Sequence, residues 1–361
     1  MRMKTIILFE NEELSFRENT RILETVRTRC PDAFIILISA GDFSSAGLLL
    51  EPSGRERAAQ AVRAGADLVL SLPTASVLGG YGKKEFAGMA LVQRLRTPAQ
   101  IVLPCVPEPG QTPLECGEML RSTAMLMFRE MNGYRKELSL HLNENLSFRD
   151  AQKATVCSCF PQAASLLEHP QNRHALWLLD AMLQLYFMEK PEYIALPECE
   201  ESSECPADAD PYEQSILSGT RQMLPDASFE TLIDISGSTT QLVSALLEKK
   251  DEIASARSLQ EIVTLLQPAP EDRTRLFLLK SLLGIRKIYM QICGLHVYVP
   301  YCYASAKNPE KEETFLRLKE NSWVPFASDP DTEDPGISET YFYLLQADKK
   351  AQELTNSPPA P

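Results

Sequence analysis

Short runs of β-branched and large apolar residues recur along the chain at Thr5–Phe9, Ala33–Ile38, Asp67–Leu70, Ile101–Leu103 and Tyr193–Leu196. Within each the apolar character is continuous rather than alternating, as strands buried on both faces of a parallel sheet require. Between the runs the period changes. Ile22, Leu23 and Val26 fall on one face of a helix between Asn19 and Arg29, and Arg55–Ala64 and Phe86–Leu95 read as two more helices. Gly65 closes the helix before it and Pro73 ends the third strand. Strands alternating with helices predict an α/β fold with a Rossmann-like, doubly wound parallel sheet.

After Leu224 the pattern turns helical. Ser258-Leu259-Gln260-Glu261 has the form of a capping box, with Ile262, Leu265 and Leu266 continuing an apolar stripe, and a further helix is expected from Arg273 to about Met290. The chain therefore divides into residues 1–224, the sheet domain, and 225–361, a C-terminal α-helical domain. Asp329-Pro330-Asp331 and the terminal Ser-Pro-Pro-Ala-Pro mark a loosely ordered tail. Residues 189–213 hold nine acidic groups and one lysine, the composition of a solvated acidic loop.

Charge narrows the function. The chain of 361 residues carries 36 Lys+Arg and 49 Asp+Glu, a formal net charge of -13. Residues 1–100 have 13 basic and 11 acidic groups, and all the negative excess lies beyond them. Proteins held to nucleic acid by phosphate contacts are usually basic, so general nucleic-acid binding is disfavoured and an anion site belongs in the first segment. The five apolar residues before Glu10 are too few for a signal peptide's apolar core, and no run reaches the length of a membrane span. Nine cysteines without a repeating spacing fit reduced thiols, and the chain is expected in the cytoplasm.

Candidate chemistry is sparse. Gly79-Gly80-Tyr81-Gly82-Lys83-Lys84 resembles a phosphate loop, but Val77 stands where its first glycine belongs and Lys84 where Ser or Thr must reach magnesium. Cys157-Ser158-Cys159 with His169 and His174 supplies zinc-type ligands at the wrong spacing, since knuckles place two to four residues between the cysteines. No Ser sits in a Gly-x-Ser-x-Gly elbow.

Residues 40–73 carry a more specific signal. Gly41, Phe43, Gly47, Arg57, Ala58, Ala61, Gly65, Asp67, Leu72 and Pro73 match, without a gap, the stretch Ser-Gly-Asn-Phe-x-Gln-Arg-Gly … Arg-Ala-x-x-Ala … Gly-Ala-Asp-Leu-Val-x-Glu-Leu-Pro of the tRNA(Met) cytidine acetate ligase family. Phe86-Ala87 resembles that family's Glu-Phe-Phe-Ala helix, Asn172 falls near its Pro-Asn segment, and Ser218 to Arg221 is similar to its Ser/Thr-x-Ile-Arg. Ser258–Glu261, Thr274–Leu276 and Leu282–Ile285 resemble its helical domain.

The resemblance implies a nucleotidyltransferase-type fold that binds ATP with Mg and activates acetate as acetyl-adenylate for the wobble cytidine of elongator tRNA(Met). A His-x-Gly-His motif after the first strand would hold the ATP phosphates, because imidazoles donate hydrogen bonds to charge developing there. Here Phe16-Arg17-Glu18-Asn19 occupies that place, and the first histidine of the chain is His141. The family's basic Lys-Arg-Tyr-Thr stretch is replaced by Ala269-Pro270-Glu271-Asp272. Packing residues persist where ligand-contacting residues do not, the pattern of a fold retained without its active site, a pseudoenzyme.

The residual nucleotide pocket implied by the resemblance would comprise Asn11, Gly41, Gly47, Arg57 and Asn172, at the carboxyl ends of the strands; the same residues also read as turns and caps. No catalytic residue and no metal ligand is assigned. Two rival readings remain: a non-catalytic interaction or scaffold protein with weak nucleotide binding, and an enzyme in which Arg17, Lys83 or Lys84 supplies the missing cation. The sequence names no protein partner.

Overall fold

All five apolar runs become neighbouring parallel strands. The computed structural model describes residues 4–79, 83–144, 146, 148–196, 211–267, 269–295, 299–327 and 341–356. In chain order its sheet half is β1 (Thr5–Phe9), α1 (Phe16–Arg29), β2 (Phe34–Ser39), α2 (Gly54–Arg63), β3 (Leu68–Ser71), α3 (Thr74–Val77), α4 (Lys83–Arg94), β4 (Gln100–Cys105), α5 (Pro113–Phe128), α6 (Tyr134–Asn143), α7 (Phe148–Cys159), α8 (Pro170–Gln184) and β5 (Glu192–Ala195). The rest is α9 (Pro211–Met223), α10 (Phe229–Ile233), α11 (Thr240–Glu248), α12 (Lys250–Ser255), α13 (Leu259–Leu265), α14 (Glu271–Leu283), α15 (Lys287–Leu295), β6 (Cys302–Lys307), α16 (Glu312–Asn321), β7 (Phe326–Ala327) and α17 (Phe342–Asn356).

The sheet runs β5-β4-β1-β2-β3-β6-β7, with β1 to β5 mutually parallel. This is the doubly wound order: the chain steps outward from β1 to β3, then returns to place β4 on the other side of β1. Continuous apolar strands follow from it. Ile6, Leu8, Ile35 and Leu37 pack with α1 and α2 on one face, while Ile7, Phe34, Ile36 and Ile38 pack with α4, α5 and α8 on the other.

Two features differ from the sequence reading. The segment after residue 224 is not wholly helical, because β6 pairs antiparallel with β3 and carries β7 beside it. Its sequence, Cys-Tyr-Ala-Ser-Ala-Lys, is half-exposed and lacks a continuous apolar run, so periodicity gives no strand signal. The helix expected from Arg273 to Met290 is two helices, α14 and α15. Gly284 at φ 72° ends the first, and a short antiparallel bridge between Ile235 and Arg286 occupies the gap.

A second core, formed largely by α9 to α17, includes Phe43, Ala75 and Leu78, so the helical layer packs on the loop after β2 and on α3. No helix among the described residues is long and apolar enough to cross a membrane. Residues 197–210 of the acidic loop, with Cys199 and Cys205, and residues 80–82 of the glycine-rich stretch lie outside the described residues, as do 328–340 and 357–361 of the tail.

Candidate functional site

In open α/β sheets a ligand sits outside the carboxyl ends of the strands, where the strand order reverses. Here that place lies between β1 and β4, and the residues leaving β1 are Glu10-Asn11-Glu12-Glu13. Each carries a polar group, and each turns inward to the protein.

Asn11 and Asn172 meet at the reversal point without facing it. The Asn11 Nδ2 donates to Gln171 Oε1 at 3.0 Å, and Gln171 Nε2 donates to the Pro104 carbonyl on β4 at 3.1 Å. Next to it, Asn172 Oδ1 accepts from the Val106 N–H at 2.8 Å while its Nδ2 donates to the Val106 carbonyl at 2.9 Å. Gln171 and Asn172 begin α8 and are buried. Gln171 therefore links the end of β1 to β4 across the crevice, while Asn172 ties α8 to the segment after β4, and together they satisfy strand-end groups that a bound molecule would otherwise take.

Arg57 and Gly41 come together on the other side of β1. Arg57 Nε donates to Glu10 Oε1 at 2.8 Å, its Nη1 donates to the carbonyls of Leu50 and Pro52, and its Nη2 to that of Gly41. Glu10 Oε2 in turn accepts from Ser39 Oγ at 2.6 Å. Arg57 and Glu10 are both buried, and opening so enclosed a pair leaves an uncompensated charge, at a cost of about 3–5 kcal/mol. Gly47 stands apart from these residues. Its φ of 75° suits a tight turn, its carbonyl accepts from Tyr212 OH at 2.9 Å, and a Cβ there would lie 3.2 Å from Leu276 on α14.

Between these groups lies a cluster that sequence reasoning missed. Lys84 Nζ is 2.8 Å from Glu12 Oε2 and 3.5 Å from Glu85 Oε1, and His174 Nδ1 is 3.7 Å from the same Glu85 oxygen. All four side chains are less than a tenth exposed. Burial drives the Glu12 carboxyl upward, but the Lys84 charge and hydrogen bonds from Lys84 and Ser45 outweigh it and hold the group below its ordinary value. Burial pushes the His174 imidazole down, so it is neutral at pH 7. With Glu10 and Arg57, and with Glu13 paired to Arg173 at 2.5 Å, the crevice among the described residues then holds four carboxylates against three cations. Beside these residues lie cavities of about 10 Å³, room for one water each.

The N-terminus of α1 is closed as well. Ser15 Oγ accepts from the Glu18 N–H at 3.3 Å and Glu18 Oε2 accepts from the Ser15 N–H at 2.7 Å. Asn19 Nδ2 reaches back to the carbonyls of Asn11, Leu14 and Ser15. Glu18 and Asn19 are two of the residues standing where the His-x-Gly-His motif would lie, and they cap the helix with a carboxylate at the end whose dipole would otherwise attract phosphate.

Of the three cations suggested as substitutes, Lys84 is ion-paired within the cluster, Arg17 is exposed on the first turn of α1, and Lys83 is half-buried at the start of α4. Ser218 to Arg221 lie on α9, where Arg221 donates to the Ala256 carbonyl and Thr220 is fully buried. Cys157 and Cys159 lie on α7, His169 precedes α8 and His174 is in the crevice.

No family model and no curated protein matches the sequence. Two solved structures of Thermotoga maritima TmcAL do match by shape. The one bound with alpha-thio ATP has a TM-score of 0.76 and 15% identity, covering 99% of this chain and 95% of that one. The apo form has a TM-score of 0.76 and 14% identity over 100% and 96%. The chain has the TmcAL fold. The resemblance read from residues 40–73 therefore holds for the architecture of nearly the whole chain, including the helical layer. TmcAL is a tRNA(Met) cytidine acetate ligase.

Two signals for the missed cluster were present in the sequence. Glu10, Glu12 and Glu13 immediately follow the first strand, where carboxylates oppose a phosphate ligand, and Lys84-Glu85 opens the helix after β3. His174 gave no signal, because its approach to Glu85 depends on how α8 packs against α4.

Proposed function

We propose that this chain is a non-catalytic member of the TmcAL fold group, an interaction or scaffold protein in which the former nucleotide crevice serves as a structural core. The observation that carries this reading is the self-occupation of the crevice by the Asn11–Gln171 bridge, the Asn172–Val106 bridge and the Glu12–Lys84–Glu85 cluster, beside an α1 terminus capped by Glu18. ATP with Mg, the ligand implied by the resemblance and related to the alpha-thio ATP bound by TmcAL, does not fit this donor set. Triphosphate needs free N–H groups and cations, whereas Arg57, Lys84 and Arg173 are already ion-paired and four carboxylates lie at the place. On this reading Asn11, Gly41, Arg57 and Asn172 hold strands and loops together and Gly47 shapes a turn.

Transfer RNA is not the partner on this reading. Phosphate contacts need clustered Lys and Arg, and Arg275, on the helix that follows Ala269-Pro270-Glu271-Asp272, is paired to Glu271 at 2.8 Å and lies 3.8 Å from Glu213. Acetate-dependent exchange of pyrophosphate into ATP is the direct assay of adenylation. Purified full-length protein is expected to give none above the rate without enzyme; exchange that needs both acetate and protein and is lost in Arg17→Ala would replace this reading with rebuilt catalysis.

A further inference from the structure

Lys280 is the one buried cation among the described residues for which no hydrogen bond or ion pair is present, and its surroundings give it a purpose. It lies on α14, 4% exposed. A Cβ placed on Gly237 would come 3.6 Å from its Nζ, so the ammonium lies under the Ser236-Gly237-Ser238 turn that leads into α11. Burial lowers its pKa to about 8, with no carboxylate acting on it, so the group is still largely charged at neutral pH. With its stem enclosed and only the Nζ reaching the surface, the ammonium is poorly hydrated, and an opposite charge beside Gly237 would stabilise it.

The turn above Lys280 presents donors. Thr239 caps α11 by accepting from the Leu242 N–H at 3.2 Å, and the Val243 N–H goes to the Thr239 carbonyl. The N–H groups of Gly237, Thr239, Thr240 and Gln241 have no acceptor among the described residues, and the Ser236 hydroxyl, which reaches the surface, has no protein partner among them. Gly237, exposed and at φ 82°, puts no side chain over the ammonium. Lys287 Nζ, bonded to the Ile233 carbonyl at 2.6 Å, adds a second positive charge on the turn before it, with the exposed Asp234 as the nearby acid in sequence.

We propose that Lys280, the Ser236 hydroxyl and the N-terminal amides of α11 form an anion site that takes a phosphate group. An ammonium, a hydroxyl and several N–H groups offer more donors than the two oxygens of a carboxylate accept, and a helix N-terminus favours the charge of a tetrahedral oxyanion. The site lies in the helical layer, away from the crevice, and is independent of whether the crevice binds nucleotide.

The test compares full-length wild type with Lys280→Met by thermal unfolding as inorganic phosphate is added. Lys280→Met replaces a buried charge by an apolar chain of similar length and is expected to unfold at a higher temperature than wild type without phosphate. With phosphate, wild type should gain stability along a saturating curve, as a ligand specific to the folded state demands. The variant should show only the general salt effect, with apparent affinity at least tenfold weaker. Parallel, unsaturating rises in both proteins overturn the proposal. A readout that needs no variant is the amide spectrum of the wild type. Saturable shifts at Gly237, Thr240 and Gln241 support the site, and their absence refutes it. Repeating both with glycerol phosphate separates the sources: a response to inorganic phosphate alone assigns the free ion, and a stronger response to the ester assigns a phosphorylated molecule.

Discussion

At the residue scale, His174 shows how burial alone can hold an imidazole in its neutral form. Both its ring nitrogens are buried without a hydrogen bond, and burial holds it neutral. The folded-state pKa therefore lies below the ordinary value of about 6.5, and the unfolded chain binds a proton that the folded chain refuses. Stability from this residue is complete above about pH 6.5 and falls as pH drops below it, by up to about 1.4 kcal/mol per pH unit. Asp180 works in the opposite sense, since burial raises its carboxyl to about 6 and the folded form then binds the extra proton between about pH 4 and 6. Comparison of wild type with His174→Leu isolates the first effect. Urea unfolding at pH 5 and 7 should show wild type losing more stability than the variant on acidification; equal losses would mean that His174 is charged or solvated in the folded state. A histidine working as an acid–base group would instead need a partner within hydrogen-bond reach.

At the scale of the element, the strands were legible and the joints were not. Runs such as Phe34–Ser39 are buried along their whole length, so their apolar composition reports their place directly. The Ser258 cap formed as its sequence suggested, although Glu261 accepts from Arg257 N–H rather than from Ser258, completing the turn one residue earlier. By contrast, Gly284 at φ 72° ends α14 locally, but the chain beyond it is held by the Ile235–Arg286 bridge, a contact between residues far apart in sequence that no local window contains. The same holds for β6, whose antiparallel pairing with β3 depends on partners such as Ser71, bonded to Ser305 at 2.6 Å. Close approach of α5 to β5 is likewise non-local. Gly117 faces the Tyr193 ring so closely that a Cβ would lie 2.3 Å from it. Gly117→Ala gains helix propensity of at most about 1 kcal/mol but must displace that ring, and overpacking of this kind costs about 1–3 kcal/mol or more. Chemical denaturation should show net destabilisation, relieved in the double variant with Tyr193→Ala. A neutral or stabilising Gly117→Ala would show that α5 and β5 stand farther apart.

At the scale of the whole molecule, the fold is held on three cores, one on each face of the sheet and one formed largely by α9 to α17 that takes in Phe43, Ala75 and Leu78 from the sheet half. The residues that matched the acetate ligase pattern serve that architecture: Arg57 ties the loop after β2 to Glu10, Gly41 and Gly47 turn it, and Asp67 Oδ2 accepts from Arg27 at 2.5 Å and from the Ile35 N–H at 2.9 Å. This is why the resemblance was strongest at 40–73 while the chemistry of the crevice was not readable there. Glu12, Glu85 and Gln171 are far apart in sequence, and their contacts exist only because the fold brings β1, α4 and α8 to one place.

On the proposed reading, the protein itself fills this place. Calorimetric titration of the full-length protein with ATP and magnesium tests it most directly. Dilution heats only are expected, at protein concentrations that would reveal a Kd of about 1 mM, a binding free energy near -4 kcal/mol. Saturable binding of one ATP per chain, weakened by Asn11→Ala or Asn172→Ala, would contradict it and return the crevice to nucleotide.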